Sequence, residues 1–404
     1  MHDLPMATLL VTLAAILLAA KLLGDFAERI GQPAVLGELV AGVLLGPSLF
    51  GLIPADGALA DVLHVVAELG VILLLFEIGL ETDLREMFRV GPAALSVAAV
   101  GIAAPFLLGY AYWIGRGPGV PLDATVMAGI FIGATLTATS VGITARVLAD
   151  LDRLRSKEAS IILGAALIDD VLGLVILTVV TGIAAGGTVS PLGVLRVLAI
   201  GVGFLVAALV LGRFLAPRLF QLAERMRVRG VLVAAAVAVA FGLAGLAELA
   251  GSAQILGAFA AGLILSGTNK FDTIERELKP VVSIFAPVFF VVVGASVNLR
   301  LLDPSRPGAG QLLLLTGVLA VLAVVGKVIA GWAAPWERYR RLVVGVGMVP
   351  RGEVGLIFAN IGLRSGIITD AVFSALLLVV MISTFVAPPA LKALFAREEL
   401  DAAP

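Results

Sequence analysis

The 404-residue sequence contains no cysteine, which excludes disulfide frameworks, thiolate metal sites and thiol nucleophiles together. Histidine is almost as scarce. His2 and His64 are the only two, so imidazole catalysis or a histidine metal centre has little to build on. Charged side chains make up 14% of the chain, the formal net charge is −1, and no long run of one sign occurs. A nucleic-acid surface and an acidic tail are set aside on that ground. What abounds is hydrophobic side chain: 60% of residues and a mean hydropathy of +1.10, against roughly 45–50% apolar residues in soluble domains. A soluble globular fold is excluded. One all-α polytopic membrane domain over residues 1–404 is the economical alternative.

Apolar runs between polar or Gly/Pro breaks predict thirteen spans: 6–23, 33–50, 60–80, 91–114, 124–148, 157–184, 192–213, 229–250, 253–267, 281–299, 311–334, 341–364 and 370–396. The first is kept as a helix rather than a signal peptide, because it lacks a basic start and runs on into Lys21, Asp25, Glu28 and Arg29. With thirteen spans the connections alternate between two faces, and Lys and Arg divide 21 to 5 between them. The positive-inside rule then puts the amino terminus outside and the carboxyl terminus in the cytoplasm. No soluble regulatory domain is expected after the last span.

Weak self-similarity falls in register along the chain. LGELVAGVLL at 36–45 matches LGAFAAGLIL at 256–265, GLETDLR at 79–85 matches GASVNLR at 294–300, and TSVGIT at 139–144 matches GEVGLI at 352–357. Glycine-rich packing faces produce isolated likenesses of this kind, but three in the same order predict a duplication. Helices 2–6 (33–184) then correspond to helices 9–13 (253–396), a shift of seven spans, and an odd shift inverts the second copy across the membrane. Inverted repeats of this kind build secondary transporters, with substrate near the midplane between them.

A charge in the middle of a membrane helix costs roughly 2.5–3.5 kcal/mol on insertion scales, so each needs a partner or a task. Asp169 and Asp170 stand in the middle of ILGAALIDDVLGLVILTVV. Neighbouring positions on a helix point about 100° apart, so one carboxylate can line a cavity while the other meets a neighbouring helix. Lys327, in VLAVVGKVIAGW, is the buried lysine able to pair with one of them. Arg351 and Glu353 lie in VPRGEVG, where Pro350 and Gly352 break a helix, and they can satisfy each other or nearby helix ends. The corresponding stretch of the first repeat, TLTATSVGIT, carries Thr137, Thr139 and Ser140, whose hydroxyls suit an unwound helix as well as an ordinary packing face. Glu77 in LLLFEIGLE is a further deep acid able to line a cavity, and Glu38 and Glu68 read the same way.

TATSVGITARVL followed by ILGAALIDDVLGL, with VVGKVIAG and VPRGEVGLI downstream and QPAVLGELVAGVLLGP and LLFEIGLETDL near the start, closely resembles the bacterial monovalent cation:proton antiporters, especially the NapA-type sodium/proton antiporters. The likeness runs over essentially the whole chain in the right order. It implies Asp170 as carrier of Na+ (or Li+) and H+, Asp169 as partner of Lys327, and 135–144 and 348–355 as two unwound, crossing segments. It also implies a homodimer with helix 6–23 at the interface, residence in the bacterial inner membrane, a part in pH homeostasis, and no cofactor beyond the transported ions. The related potassium efflux systems lack the double aspartate, so Asp169 and Asp170 favour sodium; K+/H+ exchange or K+ efflux is the alternative. No enzymatic activity is expected. An intramembrane aspartyl protease needs two acids that share a proton across helices, which adjacent residues on one helix cannot do. An ion channel needs a filter of carbonyls or rings of charge, and no such motif occurs.

Overall fold

A computed structural model of the chain describes residues 6–82, 84–115, 122–184, 191–224, 226, 228, 230–266, 271–297 and 309–401. Among these residues the regular structure is helical throughout, as a hydrocarbon solvent that leaves backbone groups no outside partner requires. In chain order the helices are α1 (Met6–Arg29), α2 (Ala34–Leu45), α3 (Ala58–Glu81), α4 (Leu84–Arg89), α5 (Gly91–Gly115), α6 (Leu122–Thr135), α7 (Val141–Asp150) and α8 (Lys157–Ala184). They continue with α9 (Pro191–Glu224), α10 (Val231–Leu249), α11 (Gln254–Ser266), α12 (Phe271–Ala295), α13 (Ala309–Ile329), α14 (Arg341–Gly347), α15 (Glu353–Arg364) and α16 (Asp370–Asp401). Among the described residues nine helices are long and apolar enough to cross a membrane, and four apolar ones are shorter.

The run 124–148 is two helices, α6 and α7, and the run 341–364 is likewise two, α14 and α15, the breaks falling in the stretches 135–144 and 348–355. A departure from the expected spans has a local cause. α12 begins ten residues before the expected 281, because FDTIERELKP is not a polar loop but an amphipathic start that buries Ile274 and Leu278 and carries Pro280 inside the helix. From the charge count, Arg116, Arg225, Arg227, Arg229, Lys270, Arg300 and Arg306 lie outside the described residues.

The chain divides into two compact units, 1–88 with 145–156 and 198–297, and 89–144 with 157–197 and 298–404. In the first, α1, α2, α3 and α12 close around Ile16, Ala41, Leu63 and Val291. Two helix crossings there bring backbone against backbone at glycine. A Cβ added at Gly42 on α2 would stand 2.1 Å from the Val291 carbonyl oxygen, and one at Gly294 on α12 would stand 2.1 Å from that of Leu39. At the α3 and α11 crossing, a Cβ on Gly79 would meet Phe259 O at 2.4 Å and one on Gly262 would meet Phe76 O at 2.3 Å. Since the obstacle is backbone, the helices must part to admit a methyl group. Gly42→Ala is therefore expected to cost the upper end of the usual overpacking penalty, about 3 kcal/mol. A melting temperature equal to wild type in the purified protein would show that α2 and α12 separate freely.

The ends of α1 and α10 are also built alike. Gly31 (φ 73°) and Gly251 (φ 80°) are left-handed residues that close the two helices. At each, paired N–H donations run back to the last turn: Gly31 to Glu28 O and Gln32 to Ala27 O, Gly251 to Glu248 O and Ser252 to Ala247 O. This is the Schellman form of helix end.

The second unit packs α6, α13, α15 and α16 around Phe131, Leu319, Phe358, Leu376 and Val379. The start of α8 is fastened to the segment before α14: Lys157 bonds Glu337 and donates to Arg338 O at 3.0 Å, and Glu158 accepts the Arg340 N–H at 2.9 Å. Outside the spans, the Lys157 hydrogen bond holds the Glu337 carboxyl below its ordinary value. The contribution of the Lys157–Glu337 pair is complete above the ordinary carboxylate range and is lost as pH falls through the lowered value.

Candidate functional site

All of the site geometry below belongs to the second unit. α8 carries Asp169 and Asp170 near its middle, 3% and 8% exposed, where water offers no solvation for a bare charge. Lys327, fully buried near the end of α13, donates to Asp169 Oδ2 at 3.1 Å. Asp170 is turned about 100° further round the helix. Gly101 on α5 faces Lys327, where an added Cβ would stand in ordinary contact 3.7 Å from its Nζ.

The two helix interruptions lie against each other, and their backbone groups are satisfied reciprocally. Ser140 N–H donates to Pro350 O at 2.7 Å, and the hydroxyls of Thr139 and Thr144 donate to Met348 O at 3.3 Å and Gly347 O at 2.7 Å. Local chemistry explains why the helices stop where they do. Thr135 and Thr137 bond back to the carbonyls of Phe131 and Ala134, offering the end of α6 a substitute for helix continuation. In the other segment Pro350 brings no N–H, and Gly352 lets the chains meet, since a Cβ there would stand 3.2 Å from Ser140 Oγ.

Arg351 is fully buried, and both terminal nitrogens of its guanidinium donate to carbonyl oxygens. Nη2 donates to Leu136 O at 2.8 Å and Ala323 O at 3.0 Å, and Nη1 donates to Val349 O at 3.2 Å. Leu136 directly follows α6 and Val349 lies two residues past the end of α14, so the cation sits where two helices end and their carbonyls carry partial negative charge. The rigid fork of the guanidinium suits such divided donation better than a lysine ammonium would. From the other side, Thr384 on α16 donates to the Arg351 carbonyl at 2.8 Å.

The structure thus gathers Asp169, Asp170, Lys327, Thr137, Thr139, Ser140 and Arg351 in one unit. Glu353 opens α15, but its side chain lies outside the described residues. Glu77 is on α3 in the first unit, partly buried, and is not among these groups. Also in the first unit, Glu38 is buried on α2 and lies 3.6 Å from Arg146 Nη2, while Arg146 Nε meets Asp150 at 3.0 Å and Asp150 accepts the Val35 N–H. Arg146, counted from the sequence among the charges of the richer face, is a half-buried ion-pairing group. Thr144 lies in the expected segment 135–144 without having been singled out there, and a second hydroxyl, Thr384, escaped the sequence reading altogether. The signal for the second was its place with Ser383 inside the apolar run LLLVVMISTFVA.

Residues 12–397 match the family described as "Sodium/hydrogen exchanger, transmembrane". The chain belongs to the sodium/hydrogen exchanger family. It is 41% identical to the high-affinity Na(+)/H(+) antiporter NhaS3 of Synechocystis sp., over 99% of this chain and 93% of that protein. It is 35% identical to the Na(+)/H(+)-K(+) antiporter GerN of Bacillus cereus, over 96% of each. Its fold is similar to that of the sodium proton antiporter MjNhaP1 from Methanocaldococcus jannaschii, with a TM-score of 0.76, 16% identity and coverage of 99% and 98%.

Proposed function

We propose that this chain exchanges Na+ for H+ across a bacterial inner membrane by alternating access, the two cations competing for Asp170. The observation that carries this reading is the commitment of Lys327 to Asp169 beside a second buried carboxylate on the same helix. Burial disfavours the bare anion. Sodium and proton each neutralise Asp170, and only the neutralised carrier passes readily between the two sides of the membrane. Exchange then follows without a separate gate. Arg351 and Lys327 supply positive charge beside the acids, and no chemical bond other than those to the proton is made or broken.

The finer architecture is part of the same proposal: thirteen spans, two of them interrupted and crossing, in an inverted repeat. The glycine crossings support it. Gly42 meets Gly294 and Gly79 meets Gly262, while the repeat alignment pairs Gly42 with Gly262 and Gly79 with Gly294, which is the pattern of contacts that two-fold related copies make. The matching ends of α1 and α10 extend the repeat by one helix at its start, beyond helices 2–6 and 9–13. A homodimer through α1 is supported by its exposed Leu10, Val11, Leu18, Leu22 and Phe26, an apolar face that lipid also suits. The amino terminus is assigned to the outside and the carboxyl terminus to the cytoplasm on the loop charges.

The deciding experiment is proton flux in proteoliposomes under gradients of Na+, Li+ and K+, with and without an imposed voltage. Na+ and Li+ are expected to drive proton movement and K+ to drive far less. Flux with K+ alone would replace this reading with K+/H+ exchange, which the naming of GerN keeps in view.

A further inference from the structure

The second interruption is held by α16 as well as by its counterpart. We propose that Thr384 is a positioning residue for ion exchange: its hydroxyl anchors the Arg351 carbonyl and thereby sets where the Arg351 guanidinium stands. The inference rests on the reading of Asp169 and Asp170 as the exchange site.

Thr384 is buried, and its Oγ1 lies 2.8 Å from Arg351 O and 2.9 Å from Val380 O. A hydroxyl has one proton to give. Val380 O already receives the Ser383 hydroxyl at 2.8 Å, and the shorter of the two Thr384 contacts is the one to Arg351 O. The need for a donor there is structural. Arg351 precedes Gly352, the residue that caps α15, so its carbonyl lies outside the helical hydrogen-bond ladder in a region without bulk water.

From that anchor a continuous set of contacts leads to the acids. The Arg351 guanidinium donates to Ala323 O on α13, and one turn further along α13 Lys327 pairs with Asp169, next to Asp170. Thr384 acts on the exchanging groups through Arg351. The repeat offers independent support. At an offset of 214 residues, one more than that of TSVGIT and GEVGLI, Ser383 and Thr384 fall opposite Asp169 and Asp170 in the proposed repeat, a polar pair in the middle of the last helix of each copy.

The test compares wild type with Thr384→Val, which keeps the shape and removes the hydroxyl, and Thr384→Ser, which keeps the hydroxyl. Two readouts are taken: amide hydrogen exchange over 350–356, and the KM for Na+ in proton-flux assays. Thr384→Val is expected to speed amide exchange there and to raise KM, each about fivefold, the factor lost with one neutral hydrogen bond. Its maximal rate is expected to stay within about twofold, and Thr384→Ser is expected to match wild type in both readouts. Unchanged amide exchange in folded Thr384→Val would overturn the anchor, whether or not the protein exchanges ions. Faster amide exchange with an unaltered KM would overturn its part in ion exchange. So would a Thr384→Ser variant as impaired as Thr384→Val. Wild type that moves no protons under any sodium gradient would refute the exchange reading and the positioning role together, while the amide result would still decide the anchor.

Discussion

Asp170→Asn protein reconstituted in liposomes is expected to insert and fold as wild type does and to move no protons under a sodium gradient. Asparagine has the size and polarity of the acid, so the packing of α8 around position 170, buried in the second unit, has no reason to change. What it lacks is the ability to exist as an anion that a proton or a sodium ion neutralises. Competition between the two cations needs a site whose charge each of them cancels, and an amide offers neither state. The measurement is sodium-driven proton flux, with melting temperature as the control for folding. Sustained exchange by Asp170→Asn would remove this carboxylate from the carrier role and move attention to Asp169.

The second large effect concerns the pair beside it. Lys327 and Asp169 meet at 3.1 Å with almost no exposure of either side chain. Removing one partner of such a buried pair strands the other as an uncompensated charge, at a cost of about 3–5 kcal/mol. Replacing both with neutral groups of similar volume removes the attraction and the desolvation cost together. Lys327→Met and Asp169→Asn are therefore each expected to lower the melting temperature sharply, and the double variant to be more stable than either. Additive losses in the double variant would mean that the two side chains contribute separately and that the ion pair is incidental. Flux measured under imposed voltage in Lys327→Met separates a purely structural lysine, which leaves the voltage response in place, from one whose charge takes part in the cycle.

These two experiments bear on residues that could be named from the sequence because of what a membrane does to chemistry. Asp169, Asp170, Lys327 and Arg351 stand out against apolar surroundings, where each charge is costly. The two interruptions were also legible. Thr137, Thr139 and Ser140 offer hydroxyls to a helix that stops, and Pro350 and Gly352 withhold what a helix needs to continue. The start of α12 was not, because charged residues on one face of a helix at its entry resemble a loop until Ile274 and Leu278 are known to be buried. Only part of the pairing of Arg146 could be read locally: Asp150 is four residues on, while Glu38 is more than a hundred positions away.

The sequence by itself determined the solvent of this protein, the approximate positions of its spans and the identity of its costly charges, since hydrophobic length and the penalty on buried charge are properties of local composition. Only the tertiary structure decided which groups those charges serve. Lys327 and Asp169 are 158 residues apart, Arg351 and Leu136 are 215 apart, and Thr144 and Gly347 are 203 apart. Backbone carbonyls are alike at every position, and no spacing along the chain marks the few that an interrupted helix leaves to be satisfied. That choice belongs to packing, which brings the two interruptions into register and gives Arg351 and Thr384 their partners.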